Sequence, residues 1–329
     1  MKPSEDNLIE KLKRTGLPGA INRGQIRLGI GDDAALFAPR KGHEIVLTCD
    51  WSLEGTHFLR DTHSPDSIGW KCLARAVSDL AAMGAEPKCF LLSLALPASH
   101  TGRWLDGFLG GLRRASRKFG CPLVGGDTTR NQQILINVSA VGEVQTGRAL
   151  LRSGARVGDI IYVSGQLGEA ELGLRLLRQR RKGLSNWKQR LLKRHLYPEP
   201  RLALGRWLAE CKLATAIIDL SDGLSTDLAR LCNASGVGAR LELLKIPQPD
   251  LPSGLSWLPD AITMSLRGGD DYELLFTVAP RNAGRIPRRF RGVRLTPFGV
   301  IISGPKIVTV KADGNEQSLL PRGWDPFRT

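Results

Sequence analysis

The sequence lacks most of the signals that announce a metal cluster, a secreted scaffold or a membrane span. Six cysteines are scattered from Cys49 to Cys232 with no C-x-x-C pair. That leaves neither a zinc ribbon nor a disulfide framework, and predicts reduced, mostly buried thiols. Five histidines contain no H-x-x-x-H spacing, so a histidine-based metal site is excluded too. No apolar run reaches the roughly 18 to 20 residues that a membrane helix needs, and the opening MKPSEDNLIEKLKRTG holds no apolar leader stretch. A cytoplasmic protein with no membrane partner is expected. The dipeptide Gly-Lys never occurs, which excludes a Walker A loop. Gly29 to Ala34 spells G-x-G-x-x-A, but Pro39 interrupts any following helix, so a dinucleotide fold is rejected. There is no G-x-S-x-G, and Ser221 in D-L-S-D-G has no histidine close to it in sequence.

What is present is a large apolar content and an uneven charge. With 329 residues, 42% of them hydrophobic, the chain can bury a sizeable core in about two domains. Lys and Arg outnumber Asp and Glu by 47 to 32, a formal charge of +15, yet the excess is local. Residues 175–195 hold nine bases and residues 281–294 hold six, with no acid in either segment. The rest of the chain is balanced, as in an ordinary enzyme. The leucines of RLLRQRRK and WKQRLLKRH are spaced to pack on one side. Neither segment interleaves aromatics as single-strand binders do. Nucleic acid is therefore not expected as a partner, and a basic nucleic-acid-binding protein is only the non-enzyme alternative.

Short β-rich runs alternate with amphipathic helices along the whole chain. Strands are predicted over 26–30, 44–50, 88–96, 121–127 and 134–144, and helices over 65–84 and 104–120. Pro65 and Asp66 open the first helix and Gly84 closes it, with Lys71, Arg75 and Asp79 recurring at i, i+4 on one face. A glycine-punctuated, sheet-leaning stretch over 147–159 separates two halves, read as domains 1–149 and 150–329. Both halves are α/β, and the neighbouring strands favour mixed sheets (an α/β, α+β architecture) over one doubly wound parallel sheet.

Aspartates crowd the strand ends and turns: Asp32 and Asp33, Asp50, Asp79, Asp127, Asp219 and Asp222, Asp270 and Asp271. Any one of them suits an ordinary turn or helix cap. Six such segments together suggest a site lined by carboxylates, which repel one another unless cations intervene. Oxygen donors without His or Cys select Mg²⁺ or Ca²⁺, no EF-hand loop is present, and Mg²⁺ in such a setting binds substrate phosphates, so a nucleoside triphosphate is the expected ligand.

GIGDDAALF, the Asp50 to Phe58 run D-x-x-x-E-G-x-HF, SDLAAMGA, GGDTTR, RSGARVGD, IDLSDGL and GGDDYELLFTV follow one another in this order. Together they resemble the thiamine-monophosphate kinase family, within the superfamily of aminoimidazole-ribonucleotide synthetase and selenophosphate synthetase. The resemblance implies an N-terminal α/β domain that forms a barrel with a second subunit of a homodimer, a C-terminal α/β domain, and ATP in the cleft between them. It implies ATP- and Mg²⁺-dependent phosphorylation of thiamine monophosphate to thiamine diphosphate. Position by position, it implies Asp33, Thr48, Cys49, Asp50, Asp79, Asp127, Asp219 and Asp222 around several Mg²⁺ ions. Gly126, Asp127, Arg152 and Ser221 fall on the nucleotide, with Asp127, Asp222 and Arg152 as the catalytic set, and His57, Asp270 and Trp324 on the substrate.

Three positions depart from the family pattern. Cys49 stands where a hydroxyl is common, Asp270 replaces a glutamate one methylene longer, and the C-terminal ring is Trp324. Another ATP-dependent enzyme of the same superfamily is the nearest alternative, but the cysteines that mark two of its branches are absent. The basic surface at Arg180, Arg181 and Lys182 is expected to steer anionic ligands.

Overall fold

The computed structural model describes residues 11–14, 25–30, 34–179, 185–251 and 260–327. The chain divides into two compact units, one of Met1–Leu80 with Ala85–Gly147 and one of Ala81–Gly84 with Arg148–Thr329.

The first unit contains β1 (Ile26–Leu28), β2 (Leu36–Phe37), β3 (His43–Leu53), α1 (Pro65–Ala82), β4 (Glu86–Leu96), α2 (Arg103–Phe119), β5 (Leu123–Arg130) and β6 (Leu135–Gln145). β1 and β2 form a small antiparallel ribbon. The main sheet runs β3-β6-β4-β5, with only β4 and β5 parallel. A parallel pair needs a crossover, and α2 supplies it. α1 starts where proline is tolerated at the first helical position, and the Ser64 hydroxyl accepts the Ser67 N–H at 3.2 Å.

α1 buries Leu73, Ala76, Val77 and Leu80, and Leu80 reaches to 3.0 Å from where a side chain on Gly142 of β6 would begin. The two helices meet closely because Gly69 lies against the Phe108 carbonyl and Gly111 against that of Asp66; a Cβ at either would sit about 2 Å from oxygen. The far face of the sheet is different. Ile45, Leu47, Trp51 and Leu91 are 39, 73, 51 and 40% exposed.

The second unit contains β7 (Ile160–Ser164), α3 (Glu169–Arg178), α4 (Asn186–Leu196), α5 (Leu202–Glu210), β8 (Ala214–Leu220), α6 (Leu224–Ser235), β9 (Gly238–Glu242), α7 (Ala261–Arg267), β10 (Glu273–Val278), β11 (Arg289–Phe290), β12 (Val293–Ile302), β13 (Ile307–Val310) and β14 (Glu316–Ser318). Its sheet runs β14-β13-β9-β12-β7-β10-β8, with β11 as a hairpin on β12 and only β13 and β9 parallel. Every residue of β10 is buried, because separate apolar clusters pack around Leu275 and around Leu274 and Phe276. Both sheets are mixed, as the sequence pattern requires. Residues 147–159 form turns rather than a strand: Gly147, Gly154 and Gly158 all take positive φ, which breaks an extended run.

Candidate active site

In the first unit a strand and a helix run side by side with matched spacing. Two residues of strand advance about 6.6 Å and four residues of helix about 6 Å, so a period-2 row can meet an i, i+4 stripe rung by rung. The Thr48 hydroxyl donates to Asp79 Oδ2, Asp50 Oδ1 lies 3.4 Å from Arg75 Nη2, and Ser52 and Lys71 line one pocket. The i, i+4 stripe Lys71, Arg75, Asp79 is therefore the functional face of α1. Alternation places Cys49 on the other, exposed side of β3, away from Thr48 and Asp50.

The pocket, about 270 Å³ with its mouth, is lined by Ser52, His57, His63, Ser67, Lys71 and Arg75 among others. The Leu53 N–H donates to His57 Nδ1 at 3.1 Å. That nitrogen therefore carries a lone pair, and the neutral ring presents its proton at Nε2. His57 is thus a donor, suited to an oxygen or ring-nitrogen acceptor.

Asp127 lies on β5, exposed. The register puts Trp51, Asn137, Ser93 and Asp127 in one row across the sheet, and Asp50, Val138, Leu92 and Gly126 in the next. Adjacent rows face opposite sides, so Asp127 does not stand with Asp50 and Asp79. Gly126 is required, since a Cβ there would meet the Leu92 carbonyl at 1.9 Å. Among the described residues no group of three or more His, Cys, Asp or Glu is gathered tightly enough to hold a metal ion. Asp33, and the basic Arg180, Arg181 and Lys182, lie outside the described residues.

In the second unit the motifs at 218–224, 268–273 and 322–327 come together. Asp219 is buried at the end of β8. The Ser221 carbonyl accepts the Asp270 N–H at 2.8 Å, the Leu220 carbonyl accepts that of Tyr272 at 2.8 Å, and the Asp222 carbonyl accepts that of Trp324 at 2.8 Å. Gly323 lies so close that a Cβ would meet the Asp222 carbonyl at 2.0 Å. The Trp324 ring is 46% exposed and held by its backbone beside the aspartate turn. Asp222 receives Arg230 Nη1 at 2.6 Å, and the same nitrogen reaches Asp227 at 2.7 Å. Asp227 caps the turn by accepting the N–H groups of Asp222 and Gly223. Burial, then the neighbouring Asp222 charge, pushes its pKa up to about 6 against the pull of those bonds and of Arg230. Arg152 is exposed, and its carbonyl accepts from the Ser235 hydroxyl at 3.0 Å.

Asp270 and Tyr272 both have positive φ, at 68° and 49°, a conformation that costs a non-glycine residue of order 1–3 kcal/mol. Between them Asp271 is half-buried and accepts the N–H groups of Gly168 and Ala170 at the start of α3. Burial pushes its pKa up, with Glu273 and Glu169 nearby adding to the shift. Glu273 goes the opposite way. Burial alone would raise it, but a two-pronged contact from Arg201, with Arg194 and the Ser164 hydroxyl, holds it below the usual range. Part of the first basic segment is thus spoken for: Arg190 and Arg194 of α4 reach buried Glu169, and His195 approaches Asp270. Sequence reasoning treated that segment as a solvated face and missed these contacts, along with those of Tyr272, Arg201 and Arg230.

Comparison with known proteins bears on the same motifs. Residues 31–144 match the model of the AIR synthase related protein N-terminal domain, and residues 156–310 that of its C-terminal domain. Thiamine-monophosphate kinase of Escherichia coli K12 is 38% identical over 312 residues, 94% of each chain. The crystal structure of thiamine-monophosphate kinase from Stenotrophomonas maltophilia K279a is 37% identical, with a TM-score of 0.82 over 96% of this chain and 98% of that one. AaThiL complexed with AMPPCP and TMP is 33% identical, with a TM-score of 0.77 over 98% and 97%. With both domain models matched in order and relatives this similar along nearly their whole length, the chain belongs to the thiamine-monophosphate kinase family of AIR synthase related proteins.

Proposed function

We propose that the protein is a kinase that transfers the γ-phosphoryl group of ATP to thiamine monophosphate, giving thiamine diphosphate and ADP, the last step in making thiamine diphosphate. The observation that carries this reading is the joint presence of the aspartate motifs and the similarity, along nearly the full length, to a relative complexed with AMPPCP and TMP.

The acceptor is a phosphate monoester whose second pKa is about 6, so it is already mostly a dianion at neutral pH. Its oxygen attacks the γ-phosphorus in line, the bond from that phosphorus to the β,γ-bridging oxygen breaks, and ADP leaves with the electron pair. No proton has to be removed, which suits a site whose histidine, His57, is a donor rather than a base. Gly126, Asp127, Arg152 and Ser221 hold the nucleotide, and the exposed Arg152 guanidinium offers paired N–H donors to phosphate oxygens. His57, Asp270 and Trp324 hold the thiamine moiety, Trp324 by laying its ring on the cationic thiazolium.

Mg²⁺ fits the donor set, which apart from Cys49 is all carboxylate and hydroxyl oxygen. In the first unit Thr48, Asp50 and Asp79 would hold it, with Asp33 as a further oxygen donor, and Asp127 would hold one on the opposite face of the sheet; in the second, Asp219 and Asp222 would. When bound it offsets the repulsion between two phosphate groups and the aspartates. The protein acts in the cytoplasm; no helix among the described residues is long and apolar enough to cross a membrane. It acts as a homodimer whose second copy covers the open face of the first sheet, where Ile45, Leu47, Trp51 and Leu91 form an exposed apolar row beside Asp127.

The test is turnover by the purified protein with ATP and Mg²⁺, offering thiamine monophosphate, thiamine and an aminoimidazole ribonucleotide precursor side by side. Thiamine diphosphate from thiamine monophosphate alone supports the reading. Turnover only with the aminoimidazole precursor would move the protein to another branch of the superfamily.

A further inference from the structure

The loop that carries His57 into the pocket of the first unit turns at the surface, so its rigidity has to come from how its ends are tied. Gly55 and Thr56 are exposed, with Gly55 at φ 85°, while His57 and Phe58 line the pocket. Within the loop the Gly55 N–H donates to the Phe58 carbonyl at 2.8 Å and the His57 N–H to that of Leu53 at 2.9 Å. Glu54 ties the near end twice. Its N–H donates to the Ile134 carbonyl at 3.0 Å, and its Oε2 accepts the Ile134 N–H at 2.9 Å, just before β6 begins. Its other oxygen, Oε1, lies 3.0 Å from Nε of Arg60, at the far end of the loop. Arg60 Nη1 in turn lies 3.3 Å from Nε2 of His100, whose ring meets that of Trp104 on α2 edge-on at 5.7 Å.

We infer that Glu54, held by Arg60, is a positioning residue that sets where the His57 ring stands in the pocket, and through it the affinity for thiamine monophosphate. The inference rests on the reading of His57 as a residue that faces substrate. One carboxylate joins three pieces of chain: the end of β3, the start of β6 and the far end of the loop. With both ends tied, the loop reaches the pocket already ordered, and less freedom is lost when a ligand binds. The Glu54 side chain is 13% exposed, so its bonds to Arg60 and to the Ile134 N–H are shielded better than those of an ordinary surface pair. The ring has its own tie to β3, the bond from the Leu53 N–H to Nδ1, and that bond holds only while His57 keeps its distance from Leu53. When Arg60 lets go, the segment from Phe58 to Arg60 can drift, that bond lengthens, and the ring is no longer confined to one tautomer.

The experiment compares Glu54→Gln, Arg60→Leu, the double variant and His57→Ala by steady-state kinetics on the full-length protein with ATP and Mg²⁺, and by NMR of the His57 ring nitrogens. Glutamine keeps an oxygen for the Ile134 N–H but loses the charge that holds Arg60, so the fold is retained while the far end of the loop is released. Glu54→Gln and Arg60→Leu should each raise the KM for thiamine monophosphate about fivefold, because a charge-assisted bond is lost while the backbone bonds remain. The double variant should go no further, since both changes break one contact. The KM for ATP should stay within about twofold of wild type. In the wild-type ring Nδ1 should be unprotonated and Nε2 protonated above the ring's pKa, and both single variants should move it toward a mixture of tautomers.

An unchanged KM for thiamine monophosphate in Glu54→Gln, beside a raised one in His57→Ala, overturns the positioning role and leaves the His57 reading standing. It does so whether or not the tautomer shifts, since the setting of the ring would then not matter to binding. An unchanged KM in His57→Ala removes the parent reading, and the inference with it. Losses that add in the double variant show that Glu54 and Arg60 act separately, and overturn the inference. Equal rises in KM for both substrates with a lowered Tm and an unchanged tautomer assign Glu54 a purely structural role, and overturn it as well.

Discussion

Replacing Arg201 with alanine tests whether the buried charges of the second unit are organised as described. Glu273 is 1% and Arg201 10% exposed, and the guanidinium grips both carboxylate oxygens, with Nε–Oε2 at 2.6 Å. Removing one partner of a buried pair leaves the other uncompensated, which typically costs about 3–5 kcal/mol. Arg194, 3.9 Å from Glu273 Oε1, remains as a partial counter-charge, so the lower end applies, about 3 kcal/mol. For a unit of this size each kcal/mol is worth roughly 2–4 °C, so Tm should fall by roughly 6–12 °C.

The pH dependence gives the prediction a sign. Glu273 titrates below the usual carboxylate range in the folded protein, so the pair's stabilisation is present above that range and is lost as pH falls through the folded pKa. The gap between wild type and Arg201→Ala, read by calorimetry, should therefore narrow toward acid. The double replacement Arg201→Met with Glu273→Leu should recover most of the loss, because an apolar pair leaves no charge unpaired. A Tm fall under about 2 °C at neutral pH, on the same scale, would mean that Glu273 is not left uncompensated. So would a gap that does not depend on pH.

Other outcomes follow from the same geometry. Gly323→Ala places a methyl group 2.0 Å from the Asp222 carbonyl, so the Trp324 segment must shift; the KM for thiamine monophosphate should rise several-fold, roughly, with the fold retained by circular dichroism. Asp79→Asn keeps the shape but removes a charge beside Thr48, and should raise the Mg²⁺ concentration needed for half-maximal rate by about tenfold or more, checked by metal titration. Leu47→Glu on the open sheet face should shift the protein toward monomer in sedimentation velocity, by putting a charge into the apolar row. An unchanged dimer would place the interface elsewhere.

Much of this was legible in the residues because it is local. Pro65 and Gly84 bracket α1, whose observed span ends at Ala82, and the long β-rich runs became β3 to β6. Short pieces escaped. α7 holds too few residues to show a helical period, although Asp260 caps it by accepting the Thr263 N–H; β13 is only four residues long, and β14 is three polar ones. At the site, the stripe of Lys71, Arg75 and Asp79 was visible, but its partner strand was not: which β3 residues meet it is set by tertiary register. Arg190 and Arg194 read as solvent-facing because their acids, Glu169 and Glu273, lie far off in sequence. The hydrogen bond of Tyr272 to Asp270 spans only two residues, yet it depends on two left-handed backbones that no residue type announces.

The proposed role of these aspartate motifs is one direct phosphoryl transfer between two phosphates. A single turnover with ATP labelled in its γ-phosphate, enzyme in excess over thiamine monophosphate and Mg²⁺ present, tests it most directly. Label should appear in thiamine diphosphate in step with ADP, one for one, and never on the protein. Label retained on the protein, or ADP formed without labelled thiamine diphosphate, would contradict it.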